Sequence, residues 1–189
     1  MKTFISILKL WLPLAVTITL VCGIVYTVVQ QNYRLTANDP QYQMAEDAAN
    51  AISNGIDPKT LIINTPLELS NSLSSYLIIY DGLENPIASG ALLNGKIPKL
   101  PSGVLAFVKK NGENMITWQP QRGIRQALVI KKSQSTNLYY VVAGRSLRKT
   151  EERIGLLMQQ VAFGWICSLV ILFIVVWGLK SLIKAEKIT

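Results

Sequence analysis

Hydrophobic and polar positions divide this chain into three unequal parts. Leu10 to Val29 is a run of 20 residues without a charge, and Val161 to Leu179 is a second run of 19. Each is long enough to cross a hydrocarbon core of about 30 Å at a helical rise of about 1.5 Å per residue. Between them lie residues 30–160, a polar stretch of 131 residues and the right size for one compact domain. The expected organisation is a tail over 1–9, a span over 10–29, the domain over 30–160, a span over 161–179 and a tail over 180–189. As it stands, the chain is expected to hold its domain by both ends and to leave no room for an output domain on the other membrane face.

Within the domain the periodicity changes twice. Asp39 supplies an N-cap acceptor before Pro40, and Tyr42, Ala45, Ala48, Ala49 and Ile52 then follow helical spacing up to a C-cap at Asn54-Gly55. Pro58 starts a short helical turn through Leu61 to Ile63. Tyr76 to Tyr80 is aromatic and β-branched and ends in an Asp81-Gly82 turn, with a return strand over Ile87 to Leu92. Gly95, Pro98, Pro101 and Gly103 mark a loop, and Val104 to Val108 fits either a strand or a helical turn. Three strands close the domain: Met115 to Gln119, Ile124 to Lys132 and Leu138 to Arg145, the last two joined by a hairpin over Ser133 to Asn137. Ser146 to Gln160 reads as a helix that runs into the second apolar stretch. Leu128 and Ile130 point one way and Ala127 and Val129 the other, so both faces of the sheet are expected to be covered, one by a helix and the other by a pocket or partner. The fold class is α+β, with a central antiparallel sheet between N- and C-terminal helices.

Charge orients this arrangement. Lys2 and Lys9 precede the first span, and Lys180, Lys184 and Lys187 follow the second, offset by Glu186 alone. Short Lys-rich tails stay cytoplasmic, whereas long loops translocate largely regardless of charge. Both termini are therefore expected inside and the domain outside. The tails hold 5 of the 19 basic residues and 1 of the 11 acidic ones, which leaves the domain a mild net charge of +4. Scattered bases on an extracytoplasmic domain make a poor nucleic-acid surface, and no nucleic acid is expected as a partner. A cleaved signal peptide is disfavoured, because the first apolar run exceeds the usual 7–15 residues and no small-x-small site follows Val29.

Composition removes several chemistries. The chain has no histidine, which excludes His-dependent nucleophiles, His-ligated zinc and a phosphoaccepting histidine. Cys22 and Cys167 both lie within the apolar runs, so the domain carries neither a disulfide nor a thiolate. Asn94-Gly95 and Asn111-Gly112 are turn signals rather than a phosphate loop. No metal or other cofactor is expected, and no catalytic residues stand out.

The element order, with Tyr80-Asp81-Gly82, Ile116-Thr117-Trp118-Gln119-Pro120, Gly123-Ile124-Arg125 and Val141-Val142-Ala143-Gly144-Arg145-Ser146-Leu147, resembles the extracytoplasmic PAS-like (Cache-type) sensor domain of bacterial membrane histidine kinases. The stretch from Ala143 to Glu152 is similar to the way such sensors re-enter the membrane. The resemblance covers roughly residues 5–180 and implies a bacterial inner-membrane sensor module without the kinase part. Its partners would be the membrane, a small ligand, a second copy and a separate membrane signalling protein. The alternative is a non-signalling accessory or scaffold subunit of a membrane complex.

Four side chains are candidates for a ligand site. Trp118 and Arg125 fall on neighbouring strands, with Tyr80 and Tyr140 on others; aromatic walls and one cation suit a small anionic or zwitterionic ligand. Alternatively the aromatics are ordinary core and Arg125 is a rim charge. In the first span Ala15, Thr19, Gly23 and Thr27 fall four apart, and in the second Gly164 and Ser168 do the same, a pattern that lets helix backbones approach closely. Leu147, Ile154 and Val161, with Leu157, form a short heptad seam suited to a parallel dimer. The charge and hydropathy pattern makes one topological prediction. Reporter fusions after Thr189 and within the Ser133 to Asn137 hairpin should report opposite compartments, and a shared compartment would remove the two-span arrangement.

Overall fold

The computed structural model describes residues 2–62, 65–133 and 137–186, with side chains over 5–62, 65–133 and 137–183. Ile63, the middle of the Ser133 to Asn137 hairpin, and the side chains of Lys2, Lys184 and Lys187 lie outside the described residues. The chain forms two compact units. One joins residues 1–33 to residues 152–189, and the other is the continuous segment 34–151.

The first unit is a pair of long helices, α1 (Lys2–Thr36) and the C-terminal part of α4 (Arg148–Glu186). Both are long and apolar enough to cross a membrane. Polar clasps join them. The Trp165 indole donates to the Thr19 hydroxyl at 2.9 Å, the Trp11 indole to the Leu169 carbonyl at 3.3 Å, and the Lys180 ammonium to the Ser6 hydroxyl at 2.9 Å. Trp11 also meets Phe173 edge to face, with ring centroids 6.5 Å apart.

The second unit begins with α2 (Asp39–Ser53). Only Ala37 and Asn38 separate it from α1. Asn38 keeps a right-handed helical conformation and makes no side-chain cap, so Asp39 is the first helical residue rather than the expected N-cap. The near-continuous backbone explains this: the Asn38 amide still reaches the Leu35 carbonyl and its own carbonyl already takes the Tyr42 amide. The far end follows expectation. Gly55 adopts φ +88°, and the Gly55 and Ile56 amides bond the Ile52 and Ala51 carbonyls in a Schellman closure. A 3-10 turn follows over Pro58–Leu61.

The strands are β1 (Leu67–Glu68), β2 (Tyr76–Asp81), β3 (Pro86–Ser89), β4 (Ala91–Leu92), β5 (Glu113–Gln121), β6 (Ile124–Lys132) and β7 (Tyr139–Ser146). Five of them form an antiparallel sheet in the order β3-β2-β7-β6-β5. The last strand thus sits in the centre, beside the first. The single return strand expected over Ile87 to Leu92 is split at Gly90. Its amide still bonds the Leu77 carbonyl of β2 at 2.7 Å, but its carbonyl turns to Leu67, and β4 pairs in parallel with β1. The stretch left open in sequence, Val104 to Val108, is helical as part of α3 (Val104–Asn111).

Alternation along the strands builds two cores. On one face Ile78, Tyr80, Trp118, Leu128, Ile130, Tyr140 and Val142 pack with Leu105 and Val108 of α3. On the other, Ala45, Ala48, Ala49 and Ile52 of α2 pack on Ile79, Val129, Val141 and Ala143. The opposed directions expected for Leu128/Ile130 and for Val129 hold. Tyr42 departs from the expected apolar face of α2. It is 37% exposed, while its neighbour Gln41 is buried at 1%.

Tyr76 lies across Gly144 on the neighbouring strand. A Cβ at Gly144 would stand 2.3 Å from the Tyr76 Cζ, and Tyr76 is itself buried. Gly144→Ala should therefore cost about 1–3 kcal/mol through overpacking, read as a lowered melting temperature of the domain. Gly155→Ala inside α4 meets no atom within 4 Å and should not lower that temperature, since alanine is the better helix former.

Candidate functional site

The aromatic candidates do come together. Tyr80 and Tyr140 are direct register partners on β2 and β7, and Trp118 belongs to the same buried cluster. They are nevertheless packed side chains of a core, at 4%, 0% and 6% exposure, with Leu69, Ala91, Leu105 and Val108 against them. The Tyr80 hydroxyl donates to the Pro98 carbonyl at 3.4 Å, and burial pushes its pKa up to about 12. Burial, with the charge of Glu84, also raises that of Tyr140. The hydroxyls of Tyr76 and Tyr140 and both side-chain polar atoms of Gln126 are buried without a hydrogen-bond partner among the described residues.

Arg125 does not join them. In the β5–β6 register Trp118 faces Gln126, so Arg125, one residue earlier, projects from the opposite face. Its guanidinium forms an ion pair with Glu151 in the first turn of α4, with both side chains half-exposed. The Arg125 carbonyl accepts the Leu147 amide at 2.9 Å. That turn of α4 is further held by Arg148, which donates to the Asn71 carbonyl at 3.5 Å. The expected quartet thus divides into three core aromatics and one cation that fastens a helix.

A second cation on β6 was not singled out from sequence. Lys131, six residues beyond Arg125 and on the same face, has a side chain only 10% exposed. It pairs with Glu46 of α2 and lies 3.1 Å from the Glu113 carboxylate of β5. Its ammonium sits 3.8 Å from the centre of the Tyr42 ring. Burial alone would lower the Lys131 pKa. The hydrogen bonds to Glu46, Tyr42 and Glu113 outweigh burial and hold it above the ordinary lysine value. Lys131 in turn holds the Glu46 carboxyl below the ordinary glutamate value by hydrogen bonding and charge. The available sequence signal was a lysine at an inward position of an otherwise apolar strand.

Near the start of β2 lies a cleft of about 470 Å³, lined by Met44, Leu61, Thr65, Ser74, Ser75 and Gly90 among others. Its hydroxyl and apolar lining carries no charge from these residues. Among the described residues no three His, Cys, Asp or Glu side chains gather as metal ligands.

The small-residue row of α1 diverges from the α4 contact along its length. Ala15 is buried at 6% and Thr19 accepts the Trp165 indole, but Gly23 and Thr27 are exposed, and a Cβ at Gly23 or at Gly164 would meet nothing within 4 Å. Ser168 is half-buried and returns its hydroxyl to the Gly164 carbonyl. Residues four apart advance about 40° beyond one turn, so such a row winds off a straight contact line. Among the buried and half-buried positions of α1, one line instead runs Ile7, Trp11, Ala15, Ile18, Cys22, Tyr26 and Val29, mixing steps of four and three. On α4 the corresponding stripe includes Ile154, Leu157 and Val161 of the expected seam. A groove of about 300 Å³ between the helices is lined by Gly23 and Tyr26 on one side and Met158 and Trp165 on the other.

No protein-family model matches the chain, and no curated protein matches it. The buried tyrosines give a direct check on the core. Tyr80→Phe should cost about 0.5–1.5 kcal/mol, because it removes a made hydrogen bond. Tyr140→Phe removes a hydroxyl that has no described partner and should be neutral or stabilising. Denaturant midpoints of the two variants read the difference, and equal losses would show that Tyr140 has a partner.

Proposed function

We propose that this chain is a two-span protein of the bacterial inner membrane, with both termini cytoplasmic. Its PAS-like domain stands outside and passes the binding of a ligand or protein partner to a separate membrane signalling protein. Catalysis has no part in this reading. The five-stranded antiparallel sheet with its last strand beside its first, a helix on each face and two long apolar helices supports it.

The observation that carries the reading is the double attachment of β6. Lys131 ties it to α2, which continues the first long helix after two residues, and Arg125 ties it to the first turn of α4. Both cations leave the same face of one strand, roughly 20 Å apart at about 3.3 Å per residue. A strand within a hydrogen-bonded sheet moves as a unit. A shift or tilt of β6 therefore acts on both helices together, and small shifts of this kind drive helix displacement in switching proteins. Because ligand binding has no charged pocket behind it in the aromatic core, the uncharged cleft beside β2 is the better place for a small ligand.

The rival, an accessory or scaffold subunit, has its own support in the clasps between α1 and α4. Two indole bonds and the Lys180–Ser6 bond would lock the two spans to each other and leave nothing to transmit. A second copy packing on the exposed Gly23 and Thr27 side of α1 is compatible with either reading.

One experiment separates the two. Cysteines replacing Ile7 and Val176, both buried on the helix contact, are introduced with Cys22 and Cys167 changed to serine. Under the signalling reading, Arg125→Glu sets two acidic groups against each other at β6 and should change the disulfide rate between those cysteines several-fold in native membranes. An unchanged rate would favour the accessory role.

A further inference from the structure

Lys131 and its carboxylates are the one group of titratable side chains in the described domain that gathers around a buried charge. We propose that Tyr42, Glu46, Glu113 and Lys131 form an acid-released clasp between α2 and the sheet, so that a rise in external proton concentration is itself a stimulus for this domain. This rests on the sensor-like reading above and names an input for it.

The geometry separates the two signs of charge. The Lys131 side chain is 10% exposed, whereas those of Glu46 and Glu113 are 44% and 47% exposed. Solvent protons therefore reach the carboxylates freely, while the lysine side chain is largely covered. Every charged group facing Lys131 among the described residues is one of these two glutamates. From α2 come Glu46 and the Tyr42 ring, from β5 comes Glu113, and from β7 the register partner is Val141, which does not titrate. Asn50 adds a hydrogen bond to Glu46. Neutralising both carboxylates would leave a buried cation with an aromatic ring as its remaining partner, and an unpaired buried charge is costly.

The direction in pH follows from the two shifts. Glu46 is held below the ordinary glutamate value, so its contribution is complete above about pH 4.3 and disappears as pH falls through its lower folded value. Lys131 is held above its ordinary value and stays charged throughout that range, so it cannot escape by losing its proton. The charge is relieved when water enters, and α2 moving off the sheet at this end admits it. The rest of the α2 contact is favourable to such movement. It is made largely by Ala45, Ala48 and Ala49, small side chains that bury little apolar area each.

The test uses the full chain in lipid nanodiscs, with Cys22 and Cys167 changed to serine and spin labels on cysteines replacing Gln43 of α2 and Thr117 of β5, both exposed. At pH 7 the label separation should be single and short. At about pH 2.5, well below the ordinary glutamate value because Glu46 is held beneath it, it should lengthen and broaden, and it should return on neutralisation. Lys131→Met removes the buried charge while keeping its bulk, and should hold the pH 7 distribution at both values. Glu46→Gln combined with Glu113→Gln should show the acid distribution already at pH 7. An unchanged wild-type separation, or a Lys131→Met protein that moves as the wild type does, overturns the clasp. If the labels move while the disulfide rate between Ile7→Cys and Val176→Cys does not, the clasp stands and transmission to the long helices fails.

Discussion

β7 pairs with β2 on one side and with β6 on the other, joining residues 76–81 to residues 139–144 across some sixty positions of chain. Closing so long a loop costs entropy that local contacts cannot recover, and the recovery comes from both faces of β7 at once. Tyr140 and Val142 complete the core under α3, while Val141 and Ala143 complete the core under α2. All four are fully buried. Remove this strand from the centre and neither helix has a continuous surface to lie on. The same placement fixes where α4 begins, since a single residue, Leu147, separates it from β7. A domain organised around its last strand necessarily delivers its final helix from the middle of the sheet rather than from an edge.

Next to that strand, β6 combines two roles that usually belong to different elements. Its interior residues are buried on both sides, as befits a central strand. Its ends carry Arg125 and Lys131, and the two cations behave differently because their surroundings differ. The Arg125–Glu151 pair is half-exposed, so water screens it and it contributes at most about 1 kcal/mol. Lys131 is enclosed, and its partners matter less for the stability they add than for the cost of losing them. One end of the strand is therefore a loose tether and the other a conditional one. Under the proposed acid release, that asymmetry would let a single strand hold two helices while releasing only one of them.

Local pattern made most of the elements legible. Apolar, β-branched and aromatic runs between turn signals mark β2, β5, β6 and β7, and the alanine spacing with Asn54-Gly55 marks α2 and its end. What local pattern could not give was pairing. Nothing near Tyr76 announces Gly144 as its neighbour, and nothing in Ile87 to Leu92 reveals that Gly90 hands its carbonyl to Leu67. The candidate site suffered from the same gap. Sequence places Trp118 and Arg125 on neighbouring strands with Tyr80 and Tyr140 on others, but the parity of the β5–β6 register decides which face Arg125 takes, and a shift of one residue reverses it. Lys131 was passed over because an isolated lysine in a strand means little until Glu46, 85 positions earlier, is brought beside it.

The long helices show the same difference between a motif and a contact. Ala15, Thr19, Gly23 and Thr27 form a row of small residues, yet the helix partner within the chain follows a line that the row crosses near Ala15 and Thr19 and then leaves. For helices apolar enough to cross a membrane, side chains in lipid would gain little from choosing each other over acyl chains, leaving close packing and polar bonds to decide the register. Trp165 to Thr19 and Trp11 to Leu169 supply those bonds, and each lies close to the point where the row and the contact line coincide. Beyond it, Gly23 borders a groove rather than a backbone. The indoles of Trp165 and Trp11 thus fasten the pair near Ala15 and Thr19, while Gly23 and Thr27 stay exposed.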